Sequence, residues 1–289
     1  MLNLYPVAGK VQAEGSALAE EVVTYECDGT IALIGLNRAA KRNALNPALT
    51  NQLRDAALRA HEEAKVGLIY SHGADFCAGL DLVEAATWLN DPAALAKRRR
   101  RRFERAFDEI GRGPIPFVAA ITGACVGGGL ELATACHVRV ADETAYFALP
   151  EGQRGIFVGG GGSVRISRAL GVERMTDLML TGRVLTAEEG ERFNLVQYLV
   201  AKGEALERAK SLAARIGENA PLSNWAIVNC LPRIPDLSYD DGLFVERLVT
   251  GVVTGPDSAE RLKAFAEKTA KRLSTPGTSG DGRSATREK

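Results

Sequence analysis

The stretch that decides the fold runs from Gly127 to Glu151 and reads GGGLELATACHVRVADETAYFALPE. Three consecutive glycines let a backbone approach a ligand, because no Cβ stands in the way. The residues from Leu130 to Ala135 are good helix formers, so the glycines are predicted to lie at a helix N-terminus. Unpaired N–H groups and the positive end of the helix dipole then face whatever lies over them.

Two carboxylates, Glu131 and Glu151, frame this segment. Exposed N–H groups suit a developing oxyanion on a carbonyl substrate. A pair of carboxylates can move protons beside such an oxyanion. The alternative is a tight turn ahead of a buried helix, with both glutamates on the surface. The stretch taken alone leaves both interpretations open.

Length and composition limit the number of domains and the kinds of partner that the chain can have. The 289 residues are 46% hydrophobic, which is enough for one large domain or one domain with an appendage. Thirty-six basic residues balance thirty-six acidic ones, which argues against a nucleic-acid or anionic-membrane partner. No apolar run approaches the roughly 20 residues of a membrane-spanning helix. The five scattered cysteines lack metal-ligand spacing, which predicts a reduced, cytoplasmic protein without a metal site.

The first part of the chain carries local signals for a hairpin, a helix and a strand. The apolar runs Val22–Tyr25 and Ile31–Leu36 flank an Asp-Gly pair, which predicts a β-hairpin. Asn46 and Pro47 are typical of an N-cap and a first helical position, so a helix is expected to start there. Val66–Tyr70 is expected to be a short buried strand. The Gly-containing loop that follows is a plausible ligand loop off a strand end.

Further strands are predicted at 115–121, 138–141 and 146–149. The recurrence of strand, glycine turn and helix favours a fold of repeated ββα units, although no sequence repeat is visible. A second glycine run, 159–162, precedes a helix over 163–170. It marks either another helix N-terminus at close approach or a flexible turn.

Two charged features complete the pattern. A helix over 91–110 contains five consecutive arginines, Arg98–Arg102, which are either a solvated helix end or a phosphate-binding element. Thr186 lies three residues before Glu189, which predicts a capping box at the start of another helix. From Gly203 to about Arg272 the pattern is helical in period.

Five motifs in order resemble those of the crotonase (enoyl-CoA hydratase/isomerase) family. They are Arg42-Asn43-Ala44-Leu45, Phe76-Cys77-Ala78-Gly79-Leu80-Asp81, Gly123 to Glu131, Phe147-Ala148-Leu149-Pro150-Glu151 and Leu180-Thr181-Gly182-Arg183. The resemblance covers roughly Val22 to Arg272.

The resemblance implies an α/β fold, a crotonase-type spiral of ββα units followed by a C-terminal helical trimerisation region. The corresponding division is an N-terminal extension at 1–21, a spiral core at 22–218, a helical region at 219–272 and a disordered tail at 273–289. The extension lacks the basic start and apolar centre of a signal peptide.

The resemblance also implies the site. The N–H groups of Leu80 and Gly128 would form an oxyanion hole. Glu131 and Glu151 would be the paired glutamates of the family's hydratases. Arg42, Ala44, Ala78 and Asp81 would lie along bound coenzyme A.

The implied reaction is the addition of water across the 2,3-double bond of a 2-enoyl-CoA thioester. Glu131 is expected to activate the water, and Glu151 to deliver a proton to C2, although both can hold the same water. No separate cofactor is needed, because coenzyme A is part of the substrate. An enoyl-CoA isomerase or another acyl-CoA reaction is the alternative. An RNA-binding member, suggested only by Arg98–Arg102, is the third.

Three departures from the family pattern stand out. Gly155-Ile156-Phe157-Val158 replaces a Gly-Ile-x-Pro segment and touches the expected acyl pocket, so the acyl group stays open. Cys136-His137 replaces Cys-Asp, and we interpret His137 as structural rather than as a base. Arg38-Ala39 replaces a proline-containing pair.

Assembly is the last expectation. The resemblance implies a homotrimer or a dimer of trimers. Helices after Pro221 carry apolar residues, and a core of about 200 residues is large enough without them. They either cover a neighbouring subunit or pack within their own chain. The residues concerned are Trp225, Leu243, Phe244, Leu248, Leu262 and Phe265.

Overall fold

A computed structural model describes residues 20–89, 102–267 and 269. The strands in this part of the chain are β1 (Val23–Cys27), β2 (Ile31–Leu36), β3 (Val66–Ser71), β4 (Phe117–Ile121), β5 (Ala124–Val126), β6 (Val138–Asp142), β7 (Tyr146–Ala148), β8 (Val184–Thr186) and β9 (Tyr198–Val200). The helices are α1 (Pro47–Glu63), α2 (Leu82–Leu89), α3 (Arg102–Arg112), α4 (Gly128–Ala135), α5 (Gly162–Leu170), α6 (Val172–Thr181), α7 (Ala187–Arg192), α8 (Ala205–Gly217), α9 (Pro221–Asn229), α10 (Tyr239–Val253) and α11 (Pro256–Ala266).

The strands form two sheets. The larger has the order β1-β2-β3-β4-β6-β9, and the smaller has the order β5-β7-β8. In the larger sheet only the β1–β2 pair is antiparallel, and the other neighbours are parallel. The strand and helix alternation that produces this topology is the expected mixed α/β architecture.

The predicted hairpin is present. Its turn is held by Asp28, whose Oδ1 accepts the N–H groups of Thr30 and Ile31 at 2.8 Å each. Gly29 takes the left-handed conformation there, with φ of 84°, which a residue without Cβ adopts at little cost. The turn chemistry thus fixes the register in which Val23 faces Leu36.

The predicted start of α1 is also confirmed. The Asn46 side chain accepts the N–H of Leu49 at 2.9 Å, and Pro47 is the first helical residue. Leu49, Leu53 and other small or apolar residues at helical spacing are buried against the sheet. Thr186 and Glu189 form the predicted capping box at α7.

The larger sheet is covered on both faces, as parallel sheets generally are. Along β4, Phe117, Ala119 and Ile121 belong to the main core with α1 and α3, whereas Val118 and Ala120 face the opposite side. That second face packs on Ala205, Ala209, Leu212 and Ala213 of α8. The alternation follows from the two-residue period of a strand.

Several sequence predictions need correction. The strand expected from Ile115 begins at Phe117, because Ile115 and Pro116 precede the first ladder pairs. The three-residue strands β5, β8 and β9 and the helices α2 and α6 were not predicted. The predictions for residues 1–19, for the helix over 91–101 with Arg98–Arg101, for the end of the helical region at 270–272 and for 273–289 lie outside the described residues. Arg102 is the first residue of α3.

The C-terminal helices α9, α10 and α11 leave apolar side chains exposed. Gly242 is the only buried residue of α10, and α11 has none. The exposed large apolar residues of these helices and their connections are Leu222, Trp225, Ile227, Leu231, Leu237, Tyr239, Phe244, Leu248, Val252, Leu262 and Phe265. Across the described ranges, no helix combines the length and apolar character needed to span a membrane.

Candidate active site

A cavity of about 280 Å³ lies where the loop after β3, the start of α4, the segment after β7 and the second glycine run converge. Its lining includes Ala78, Gly79, Leu80, Asp81, Leu82, Glu84, Phe103, Phe107, Gly127, Gly128, Glu131, Glu151, Arg154, Ile156, Phe157, Gly159 and Gly160. Residues far apart in sequence therefore border one space.

Two residues that line this space, Leu80 and Gly128, bring their backbone N–H groups close together. Gly128 is the first residue of α4, so its N–H has no acceptor within the helix. Leu80 forms a parallel bridge with Leu45, in which the Leu45 N–H donates to the Gly79 carbonyl and the Asp81 N–H donates to the Leu45 carbonyl. Among the described residues, the Leu80 N–H donates to no backbone carbonyl. A Cβ added to Gly128 would lie 3.8 Å from the Leu80 nitrogen, so the two N–H groups are neighbours.

The Glu131 carboxylate is held by the second glycine run. Its Oε1 accepts the N–H groups of Gly160 at 2.7 Å and Gly162 at 2.8 Å. Its Oε2 receives one long contact, from the Gly159 N–H at 3.5 Å. The side chain is buried, and backbone donors replace the hydrogen bonds to water that a carboxyl group loses on burial. The run is thus a carboxylate cradle at the N-terminus of α5.

Glu151 lies in a different environment, although it borders the same cavity. Its Oε2 is buried and has no hydrogen-bond partner among the described residues. Burial, together with a smaller contribution from the negative charge of Glu131, raises the pKa of Glu151 to about 7. The cavity therefore holds one carboxyl fixed by N–H donors and one that takes a proton near neutral pH. Such a division suits general acid–base chemistry.

The four residues expected along coenzyme A divide into two groups. Ala78 and Asp81 line the cavity, and Asp81 is paired with Arg38 at 2.7 Å. Arg42 and Ala44 lie outside the cavity lining. The Arg42 guanidinium donates to Asp75 and to the Tyr146 hydroxyl, and it holds the pKa of Asp75 below its ordinary value. Coenzyme A binding by these residues stays a prediction.

The apolar side of the cavity is formed by Phe103 and Phe107 of α3 and by Ile156 and Phe157. The last two belong to the segment where the sequence departs from the family pattern. Phe157 is 69% exposed, so this wall is open to solvent at its edge. Sequence reasoning pointed to the segment, but it did not find the two phenylalanines of α3.

Two of the histidines, His137 and His72, make contacts within the fold and not in the cavity. His137 Nδ1 accepts the Phe117 N–H at 2.9 Å, and burial lowers the pKa of His137 to about 4. His72 Nε2 lies 2.9 Å from the Thr24 hydroxyl. Neither lines the cavity, which agrees with a structural role for His137. Over the described ranges, no cluster of three histidine, cysteine, aspartate or glutamate residues has the arrangement of a metal site.

Sequence reasoning missed what the second glycine run does. The run follows Glu131 by 28 residues or more, and its contact with that carboxylate arises only when α5 packs on α4. The consecutive glycines were a visible signal, but nothing local indicated the partner. Arg165, which binds the Gly160 carbonyl, was not singled out at all.

Comparison with known proteins places the chain. Residues 26–272 match the family model described as enoyl-CoA hydratase/isomerase. The chain belongs to the enoyl-CoA hydratase/isomerase family. The matched range includes both glutamates, the two N–H groups and the C-terminal helices, so the whole candidate site lies in the family domain.

The sequence matches relatives in the family along almost their full length. A probable enoyl-CoA hydratase of Rhizobium meliloti is 35% identical over 255 residues, which cover 87% of this chain and 97% of that protein. A probable enoyl-CoA hydratase of Mycobacterium bovis, echA8, is 33% identical over 253 residues, or 86% of this chain and 96% of that protein.

Solved structures confirm the crotonase-type fold. A protein of Rhodopseudomonas palustris, provisionally named an enoyl-CoA hydratase, superposes with a TM-score of 0.81 at 41% identity, over 88% of this chain and 98% of that one. The enoyl-CoA hydratase of Bacillus anthracis superposes with a TM-score of 0.78 at 30% identity, over 86% and 96% of the two chains.

Proposed function

We propose that the protein is an enoyl-CoA hydratase that adds water across the 2,3-double bond of a 2-enoyl-CoA thioester. The observation that carries the proposal is that two buried glutamates, Glu131 and Glu151, share a cavity with the N–H groups of Leu80 and Gly128. Relatives named as enoyl-CoA hydratases support it.

In the proposed reaction the thioester oxygen lies between the N–H groups of Leu80 and Gly128. Water attacks C3 as Glu131 takes one of its protons, and the electrons of the double bond move toward the carbonyl oxygen. The two N–H groups stabilise that charge, and losing one such donor typically slows a reaction by ~100-fold or more. Glu151 then gives its proton to C2. One water is consumed, and the proton gained by Glu131 balances the one lost by Glu151.

The environments of the two carboxyls support this division of roles. Glu131 accepts two short N–H bonds, which hold the carboxyl of the proposed base in a fixed position. Burial raises the pKa of Glu151 to about 7, so the protonated form that can donate is well populated at neutral pH. A pair of titratable groups in unlike environments is what separate acid and base roles need.

The test is the pair of amide variants Glu131→Gln and Glu151→Gln. Each is expected to lower kcat for hydration by roughly 100- to 10,000-fold, because each removes one proton-transfer group. Binding of the CoA ester should survive, since the amide keeps the shape of the side chain. Loss of absorbance of the conjugated thioester measures the rate. Near wild-type turnover in either variant would remove that glutamate from the mechanism.

An enoyl-CoA isomerase is the second candidate, and Glu151 is the observation that favours it. One carboxyl with an unbonded oxygen and a pKa near neutrality can remove a proton from one carbon and return it to another. The isomerase hypothesis gains support if Glu151→Gln abolishes activity while Glu131→Gln stays active. Supplying both 2-enoyl and 3-enoyl esters distinguishes the two reactions.

The proposal also covers the substrate, the assembly and the cellular location. The substrate is an acyl-CoA, no separate cofactor takes part, and the working form is a homotrimer or a dimer of trimers. Exposed apolar residues on the C-terminal helices support the assembly. The scattered cysteines favour the cytoplasm, whereas several relatives are named as mitochondrial, so fractionation of cells is the measurement that decides. RNA binding requires a strongly salt-dependent affinity, which a titration would detect.

A further inference from the structure

Arg165 of α5 contacts the glycine run that holds Glu131, but the reaction proposed above gives this arginine no role. Its guanidinium donates to the carbonyl of Gly160, and one of its nitrogens lies 3.8 Å from Asp108 of α3. Its Nε is buried and has no hydrogen-bond partner among the described residues. The Arg165 side chain therefore binds the same glycine whose N–H donates to Glu131.

We infer that Arg165 is a positioning residue for Glu131, which it serves by fixing the Gly160–Gly162 backbone and by keeping a positive charge beside the carboxylate. The inference rests on the proposed function and deepens it. The Gly160 residue is held at both ends, since its carbonyl accepts from Arg165 and its N–H donates to Glu131 Oε1 at 2.7 Å. A second N–H bond from Gly162, at 2.8 Å, fixes the same oxygen.

This arrangement leaves the two carboxylate oxygens with different tasks. Oε1 is occupied by two short bonds, whereas Oε2 has only the 3.5 Å contact from Gly159. Oε2 is thus the oxygen available to the water. A base must be held in the right geometry as well as in the right charge state, and a small displacement of it lowers the rate strongly.

The glycines are needed for the close approach. A Cβ on Gly162 would lie 2.7 Å from Glu131 Oε1, and a Cβ on Gly160 would lie 2.6 Å from the Phe107 ring. Without side chains, the peptide units can sit directly over the carboxylate, and Arg165 then supplies the rigidity that a glycine run lacks. The charged or titratable groups that face Glu131 or Arg165 in the described part of the chain are Glu151, Asp108, Arg112 and Cys136.

The first experiment compares the pH profiles of hydration for wild type, Arg165→Gln and Arg165→Lys. Arg165→Gln should lower kcat by roughly 10- to 100-fold, a part of what acid–base catalysis contributes, while KM changes by less than about threefold. Its acid limb should move to higher pH, because loss of a positive charge favours the protonated form of a neighbouring carboxylate. Arg165→Lys keeps the charge, so its acid limb should stay at the wild-type position while kcat falls less.

The matched control is Arg168→Gln. Arg168 lies on the same helix three residues further on and pairs with Asp236, and neither residue lines the cavity. This variant should keep the wild-type kcat and pH profile. A wild-type kcat and profile in both Arg165 variants would overturn the inference. A variant that changes KM alone, with kcat intact, would overturn it as well. Should Arg165→Gln fail to fold, a wild-type kcat in the Lys variant would suffice to reject it.

A second measurement does not depend on turnover. Glutamates labelled with ¹³C at the carboxyl are titrated by NMR, and the Glu131 signal is identified by its loss in Glu131→Gln. Its protonation midpoint should lie at higher pH in Arg165→Gln than in wild type and Arg168→Gln. An unchanged midpoint rejects the electrostatic part of the inference. If wild type hydrates no 2-enoyl-CoA, the proposed function fails, yet the NMR titration still decides the placement of Arg165.

Discussion

Glu151 sets the expected pH dependence at the scale of single residues. Burial raises the pKa of Glu151 to about 7, so the protonated form persists well above the ordinary range of a carboxyl. The proposed reaction needs that proton, and kcat/KM for hydration should therefore fall as the pH rises through about 7. Rates on the preferred 2-enoyl-CoA between pH 5 and about 9.5 test this. A rate that stays level up to pH 9 would contradict a donor role for Glu151.

The site residues differ in how far sequence could find them. Glu131, Glu151, Leu80 and Gly128 lie in motifs whose order along the chain is specific, and all four border one cavity. Local patterns could not reveal that Arg165 supports Glu131, because the two meet only through the packing of α5 on α4. Local patterns also did not predict that Phe103 and Phe107 of α3 line the cavity, because they reach it only through packing.

At the scale of elements, the start of α4 determines whether the proposed oxyanion hole can form. A Cβ on Gly128 would meet the Leu45 Cδ1 atom at 2.7 Å, and a flexible side-chain end can move aside. Gly128→Val should therefore fold. Its branches would fill the space beside the Leu80 N–H, so hydration should fall by ~100-fold or more. A fully active Gly128→Val enzyme would mean that the oxyanion hole lies elsewhere.

The neighbouring glycine offers the contrast. A Cβ on Gly129 would lie 2.2 Å from the Cys77 carbonyl oxygen, which belongs to the backbone and cannot rotate away. Gly129→Ala should consequently lower the melting temperature, whereas Gly128→Val should leave it close to wild type. Circular dichroism melting curves of the two variants, recorded beside the hydration assay, separate a loss of fold from a loss of chemistry.

Elements with their own end signals were predictable from sequence. The hairpin at Asp28, the N-cap at Asn46 and the capping box at Thr186 each rest on hydrogen bonds within a few residues. Strands β5, β8 and β9 have three residues each, too few to display a period of two. Helix α6 follows α5 after the single residue Gly171, so no loop marked the boundary.

At the scale of the whole molecule, the C-terminal helices predict assembly. Phe244, Leu248 and Val252 recur every four residues on α10 and are 59%, 54% and 58% exposed. Such a stripe rarely stays in water. Light scattering at micromolar concentration should give about 92 kDa or twice that, from chains of 30.8 kDa each. A mass near that of one chain would reject the trimer.

Variants sharpen this test. Leu248→Asp puts a charge in the stripe and should lower the mass to that of one chain, whereas Glu246→Ala, on the opposite face of α10, should leave the assembly intact. Deletion of residues 257–289 should also dissociate the trimer, and deletion of 274–289 should not. Loss of assembly on the shorter deletion would show that the tail is a structural arm.

The separate burial of the two carboxyls has a consequence for the enzyme between turnovers. In the proposed reaction, Glu151 gives its proton to C2 and Glu131 keeps a proton taken from water, so product release leaves the free enzyme as the opposite tautomer. That tautomer, with Glu131 protonated, is ready for dehydration. The next hydration must wait until Glu131 has lost its proton and Glu151 has regained one. Because both groups are shielded from bulk water, the return is itself a step of the catalytic cycle. Progress curves recorded with added product measure how fast this reset is.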